Sequence, residues 1–171
     1  MLPRLIALLL LGFAPPPQDA PPPEVPLEYR VKAAYLFNFA KFVDWPDDPG
    51  QGPLTICVAG RNVFGDVLAD TIRGERIADR PLASRVILEP EPGCQVLFVP
   101  RGAAAAAYLR GSRGALTVGE SPDFLAQGGI VNFIIDGNTV RFEIAAPTAE
   151  RNGVKISSRL LRLARDPGAP R

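Results

Sequence analysis

The chain of 171 residues contains no histidine, two cysteines, one methionine and one tryptophan. Without histidine it lacks the side chain that most often acts as a general base near neutral pH, and also the commonest zinc ligand. Two cysteines alone cannot close a structural zinc site, so no metal is expected. Ser112, Ser121, Ser157 and Ser158 lie in no nucleophile-elbow context. No catalytic residue and no cofactor follow from such a composition, and the chain is expected not to be an enzyme. Neither sign of charge dominates, with 19 Lys+Arg against 18 Asp+Glu for a net +1. No basic run breaks that balance, which argues against a nucleic-acid partner. The segment "GRNVFGD", Gly60 to Asp66, follows a strand as a phosphate loop would. It lacks both the Lys-Ser/Thr of a P-loop and a G-x-G-x-x-G pattern, so it reads as a turn and a helix start.

Long apolar runs are also missing. The longest, Leu5 to Phe13, falls short of the roughly 20 residues that span a bilayer. With Arg4 ahead of it, residues 1–14 read as a secretory signal peptide, its cleavage position uncertain up to about residue 20. Residues 15–26 form a proline-rich linker. Residues 27–166 are expected to be one domain, with 167–171 as a tail. Roughly 145 residues suffice for a single hydrophobic core. The chain is expected to be exported. An even cysteine count in an exported protein suggests a Cys57–Cys94 disulfide, the alternative being two buried thiols.

Within the domain, "LTICVAG", "SRVILEP", "CQVLFVP" and "ALTVGES" read as strands. The first and third are continuously apolar, as in a sheet covered on both faces. "VFGDVLADTIRG", "AAAAAYLRG" and "PDFLAQGG" read as helices between them. "IVNFIIDGNTVRFEI", Ile130 to Ile144, reads as a hairpin around an Asp136-Gly137 turn. Asn132, Arg141 and Glu143 then point away from the face that carries Val131, Phe133, Val140 and Phe142. "NGVKISSRLLRLAR" reads as a helix starting after Gly153, with Val154, Ser157, Leu161 and Ala164 inward. The sum is an α/β domain: a mostly parallel central sheet, helices on its faces, and a C-terminal β-hairpin followed by a helix.

The segment "EYRVKAAYLFNFAKFVDWP", Glu28 to Pro46, is a helix carrying Tyr29, Tyr35, Phe37, Phe39, Phe42 and Trp45. The chain has only three Tyr, nine Phe and one Trp in all. Val31, Ala34, Tyr35, Phe39 and Phe42 share one side and predict a core face. Ala33, Phe37 and Ala40 extend apolar character well beyond it. A helix apolar over most of its circumference is covered twice, either by another segment of its own chain or by a partner, including a second copy.

"VKAAYLFNFAKFVDWP" resembles the opening signature of the YfiR-type family of periplasmic proteins. The resemblance runs on through "PLTICVAG", the apolar strand beginning at Cys94 and "GGIVNFIIDGNTVRFEI", and closes with "NGVKISSRLLRLAR". It implies a periplasmic regulator that binds and represses the periplasmic sensor domain of an inner-membrane signalling protein. That protein would be a diguanylate cyclase controlling cyclic di-GMP and biofilm formation, or a histidine kinase. It further implies sequestration by an outer-membrane peptidoglycan-binding lipoprotein, and a homodimer. Cys57 and Cys94 match one family disulfide, while a second pair known in the family has no counterpart here. Ala145 stands where the family tends to have Asn. The residues expected at a partner surface are Phe37, Arg141 and Glu143, with Asn152 in the "AAPTAERNG" loop. The alternative reading is a periplasmic small-molecule-binding module that serves a sensor kinase or an outer-membrane receptor.

Overall fold

A computed structural model describes residues 24–168. The expected signal peptide, most of the expected proline-rich linker and the last residues of the tail lie outside the described residues. Helix α1 (Leu27–Lys41) opens the fold and runs into the short strand β1 (Val43–Asp44). Strands β2 (Leu54–Ala59), β4 (Arg80–Ile87), β5 (Val96–Val99), β6 (Leu116–Gly119) and β7 (Val131–Asp136) then pair in parallel. Two antiparallel edges complete a seven-stranded sheet of order β3-β4-β2-β5-β6-β7-β8: β3 (Arg76–Ile77) and β8 (Thr139–Ile144). Helices α2 (Val67–Ile72) and α3 (Ala105–Arg110) lie in the connections. The expected mixed sheet, mostly parallel, is therefore present.

Two cores follow from the strand pleat. Ile56, Val58, Val96, Phe98, Leu116, Val118, Val131 and Phe133 project to the face covered by α1 and α2. The alternating residues Cys57, Ala59, Leu97 and Val99 project to the opposite face, beneath Tyr108 of α3 and the ring of Phe124. Cys57 and Cys94 form a disulfide in this second core. It ties β2 to the segment leading into β5 and closes a loop whose entropy is worth about 4 kcal/mol.

The rotation of α1 differs from the one its spacing predicts. The buried residues are Lys32, Ala33, Leu36, Phe39 and Ala40. Ala34 is exposed, and Val31, Tyr35 and Phe42 are half-buried. Two small residues, Ala33 and Ala40, let the helix approach the sheet closely, and Leu36 and Phe39 fill the space between. The Phe39 ring lies 5.7 Å from Phe133 and 4.9 Å from Phe142, and Tyr35 lies 5.4 Å from Phe142. Much of the aromatic content of α1 therefore packs against the aromatic residues of the hairpin. Phe37 is half-buried, with the Lys41 ammonium 3.8 Å from its ring centroid.

Four local expectations are corrected. "PDFLAQGG" forms turns instead of a helix. Its Phe124 ring occupies space that a Cβ at Gly119 or Gly129 would enter at 2.3 and 2.2 Å, so packing against two glycines sets the backbone. The hairpin is present, but its loop is Gly137-Asn138, because Asp136 already pairs with Thr139. "AAPTAERNG" is largely helical: α4 (Ala146–Arg151) begins there with Pro147 in its first turn. Gly153, at φ 77°, ends a helix where it was expected to start one. The Gly153 N–H bonds Glu150 O and the Val154 N–H bonds Ala149 O, a Schellman motif. Lys155–Ile156 then form β9, antiparallel to β1. The last helix, α5 (Ser158–Leu163), starts only where the Ser157 hydroxyl accepts from Leu160 N–H. Leu160, not Leu161, is its buried leucine.

Phe39→Ala is expected to cost about 3–5 kcal/mol in chemical denaturation, as for a fully buried aromatic residue. Phe37→Ala is expected to cost clearly less. Equal losses would contradict the difference in burial.

Candidate functional site

Strands β5 and β6 end side by side, Val99 paired with Gly119. The residues that follow, Arg101 and Glu120, are thereby placed together at the C-terminal edge of the parallel sheet, where clefts form in α/β folds. The first turn of α1 lies over this edge and brings Glu28, Tyr29 and Lys32 to it. Glu120 is 4% exposed and Lys32 is 1% exposed. Lys32 Nζ donates to Glu120 Oε2 at 2.5 Å and also bonds Glu28, one helical turn away. Glu120 Oε1 accepts the Arg101 backbone N–H at 2.7 Å and the Tyr29 hydroxyl at 3.1 Å. The Lys32 ammonium also stands 4.8 Å from the Tyr29 ring centroid and 5.7 Å from that of Phe133. A buried charge persists only when such partners replace its hydration, and both oxygens of Glu120 are engaged here. Burial, then the charge and hydrogen bond of Glu120, push the Tyr29 phenol up to about 12.

Beside this network β7 continues past the end of β6, leaving a cleft of roughly 440 Å³. Glu28, Lys32, Arg101 and Glu120 form one wall of it, and residues of β7 form the other. Asn132, 1% exposed, lines the cleft.

The residues expected at a partner surface do not converge. Arg141 lies near the hairpin turn, exposed, with its Nε 3.4 Å from Asp136 rather than against Glu143. Glu143 is 6% exposed, directly across the ladder from buried Asn132. The outer edge of β8 is not free there either, because the Arg165 segment runs alongside it and its N–H bonds Phe142 O at 2.8 Å. Asn152 belongs to the opposite end of the sheet. It caps α4 and donates its amide to Ala115 O at 2.8 Å, just before β6 begins. Phe37 lies on α1, separate from all three.

Lys32, Glu120, Tyr29 and Asn132 as a cleft residue were not anticipated. One signal was present. Lys32 sits four residues before Leu36 and seven before Phe39, so a lysine shares the stripe of the two most buried large residues of α1. A lysine in that stripe needs a buried acid, and Glu120 ends an otherwise apolar strand.

Among the described residues, no group of three or more His, Cys, Asp and Glu side chains is arranged to hold a metal ion. No helix among them is long and apolar enough to cross a membrane. The chain belongs to the YfiR/HmsC-like family, whose model matches residues 29–165. That family is one of periplasmic regulatory proteins, not of catalysts. No curated protein matches the sequence.

Two outcomes test the network. Lys32→Met is expected to destabilise the fold by about 3–5 kcal/mol, because it leaves the Glu120 carboxylate buried without its cation. Adding Glu120→Leu to the same chain should restore much of that loss in urea melts, and failure to do so would show that the pair does not act as a unit. The second outcome concerns pH. Tyr29 holds its proton more tightly folded than unfolded, so its contribution is complete below the ordinary value of 10.0 and is lost as pH rises through about 12. Stability followed across that window should fall more steeply in the native chain than in Tyr29→Phe.

Proposed function

We propose that this protein is a periplasmic regulator that binds the periplasmic domain of an inner-membrane signalling protein and holds it inactive. A diguanylate cyclase is the partner this reading favours, with a sensor kinase as the variant in which cyclic di-GMP is not the output. The observation that carries the proposal is the family match over residues 29–165. The chemistry agrees with it, since both oxygens of the most buried carboxylate are committed to structural partners. The partner surface in this reading includes the exposed hairpin end, where Arg141 and the half-exposed Ile135 lie. A homodimer through the Phe37 side of α1, and release by a peptidoglycan-binding outer-membrane lipoprotein, complete the proposed cycle. Glu143 enters it as a buried support of the hairpin, while Asn152, at the opposite end of the sheet, supports the fold by capping α4.

Purified chain is expected to capture the periplasmic domain of a membrane sensor encoded beside it, and Arg141→Glu should weaken capture about tenfold, ~1.4 kcal/mol. Phe37→Ala should lower self-association in sedimentation without unfolding the chain. Deletion of the gene should raise cyclic di-GMP and surface attachment, or change a kinase output. If neither output changes and no membrane sensor co-purifies, the regulator reading fails.

A further inference from the structure

The ladder between β6 and β7 stops at Gly119 and Asn132, while β7 continues to Asp136. Glu120 leaves the line of β6 and turns toward Lys32 and Arg101. From Phe133 onward, no strand among the described residues pairs with the edge of β7 that β6 has vacated. The cleft of roughly 440 Å³ fills that notch, so part of its lining is a strand edge that no described strand pairs.

Two properties restrict what fits there. Asn132 is 1% exposed and lines the notch, and its side-chain Oδ1 has no hydrogen-bond partner among the described residues. A buried amide oxygen without a donor is a standing cost that an incoming N–H or O–H relieves. The charges in the walls also cancel. Glu28, Glu120 and Asp136 face Lys32, Arg101 and Arg165, with Lys32 bonded to both glutamates and Arg165 3.1 Å from Asp136. The Arg101 guanidinium bonds the Glu120 main-chain O at 3.3 Å and is paired with no carboxylate among the described residues, so it can also receive a carbonyl oxygen. A neutral molecule with donors and acceptors in fixed relation fits walls whose charges sum to zero. The amide group has that relation, and it is what a strand edge pairs with elsewhere in the sheet. Ile135, 50% exposed, supplies an apolar side to the notch.

We propose that this notch is a binding site for a small, net-neutral, amide-bearing molecule, whose N–H bonds Asn132 Oδ1 and whose remaining polar groups pair with the open edge of β7. The site stands on its own geometry, independently of any membrane partner. The test uses the full chain, labelled with nitrogen-15, and titrates it with N-acetylglycinamide and with N-acetylglucosamine, glucose serving as the amide-free control. Saturable shifts are expected at the Asn132 side-chain amide and at the backbone N–H groups of Phe133 through Gly137. Glucose should bind at least tenfold more weakly. Asn132→Leu should abolish the shifts and raise the thermal midpoint of the unliganded chain, because it removes an unpaired acceptor. Ile135→Arg, at a half-exposed position, should weaken binding at least tenfold with the fold intact. Three results overturn the proposal. One is the absence of saturation with either amide, which makes the notch a water site only. Another is equal binding of glucose, and the third is binding that survives both substitutions. Capture of a membrane sensor is a separate measurement, so failure of the regulator reading and failure of this site are distinguishable.

Discussion

Glu120 is a carboxylate at the end of an apolar strand, and the rest of the domain is arranged so that its charge is tolerable. A buried anion must be met by a cation and by hydrogen-bond donors, or it will not stay ionised. Lys32 meets it from α1, Tyr29 from the same helix, and the Arg101 N–H from the end of the neighbouring strand. Once Lys32 is committed inward, the angular position of α1 is fixed. Leu36 and Phe39 must follow on the same stripe, Ala33 and Ala40 become the close-contact residues, and Ala34 turns outward. The aromatic cluster with Phe133 and Phe142 is then a result of that rotation rather than its cause. Apolar burial supplies most of the stabilisation, but it is non-directional. The ion pair supplies the direction.

This accounts for what could be read from the residue order. The continuously apolar runs gave the strands of a sheet covered on both faces, and Asp136-Gly137 gave the hairpin to within one residue. The rotation of α1 was missed because apolar periodicity treats every lysine as a surface residue. Strand β3 and the start of β4 were missed because their turn, Ala78-Asp79, takes positive φ at both positions without glycine or asparagine. Gly153 was assigned to the wrong end of a helix, since a glycine next to a helical pattern does not reveal which side it closes. In the second core, the cysteine pair was legible from the expected export and the even count. The Lys32–Glu120 contact joins residues 88 apart in the chain, a distance over which local pattern carries no information.

The two cores differ in composition. The α1 face holds interlocked rings and long aliphatic side chains. The opposite face is thinner, covered by one six-residue helix and a turn segment, and contains the disulfide. A covalent bond lies on the side with the thinner cover, and it joins β2 to the segment leading into β5. The Asp48 cluster reinforces the edge next to it. Burial raises the Asp48 carboxyl, but the Gly50 N–H, Arg80 and Gln95 outweigh that and hold it below its ordinary value. Gln95 passes the connection on by accepting the Thr55 N–H at 2.7 Å.

The two-stranded ribbon of β1 and β9 joins Val43 to Ile156. Those residues lie about 110 positions apart, and closing a loop of that size carries an entropy cost that nearby contacts must first offset. The ribbon that anchors the end of α1 thus forms only after β9, near the end of the domain, is available. A chain that emerges from its N-terminus leaves the aromatic residues of α1 without their hairpin partners, Phe133 and Phe142, until most of the domain is present.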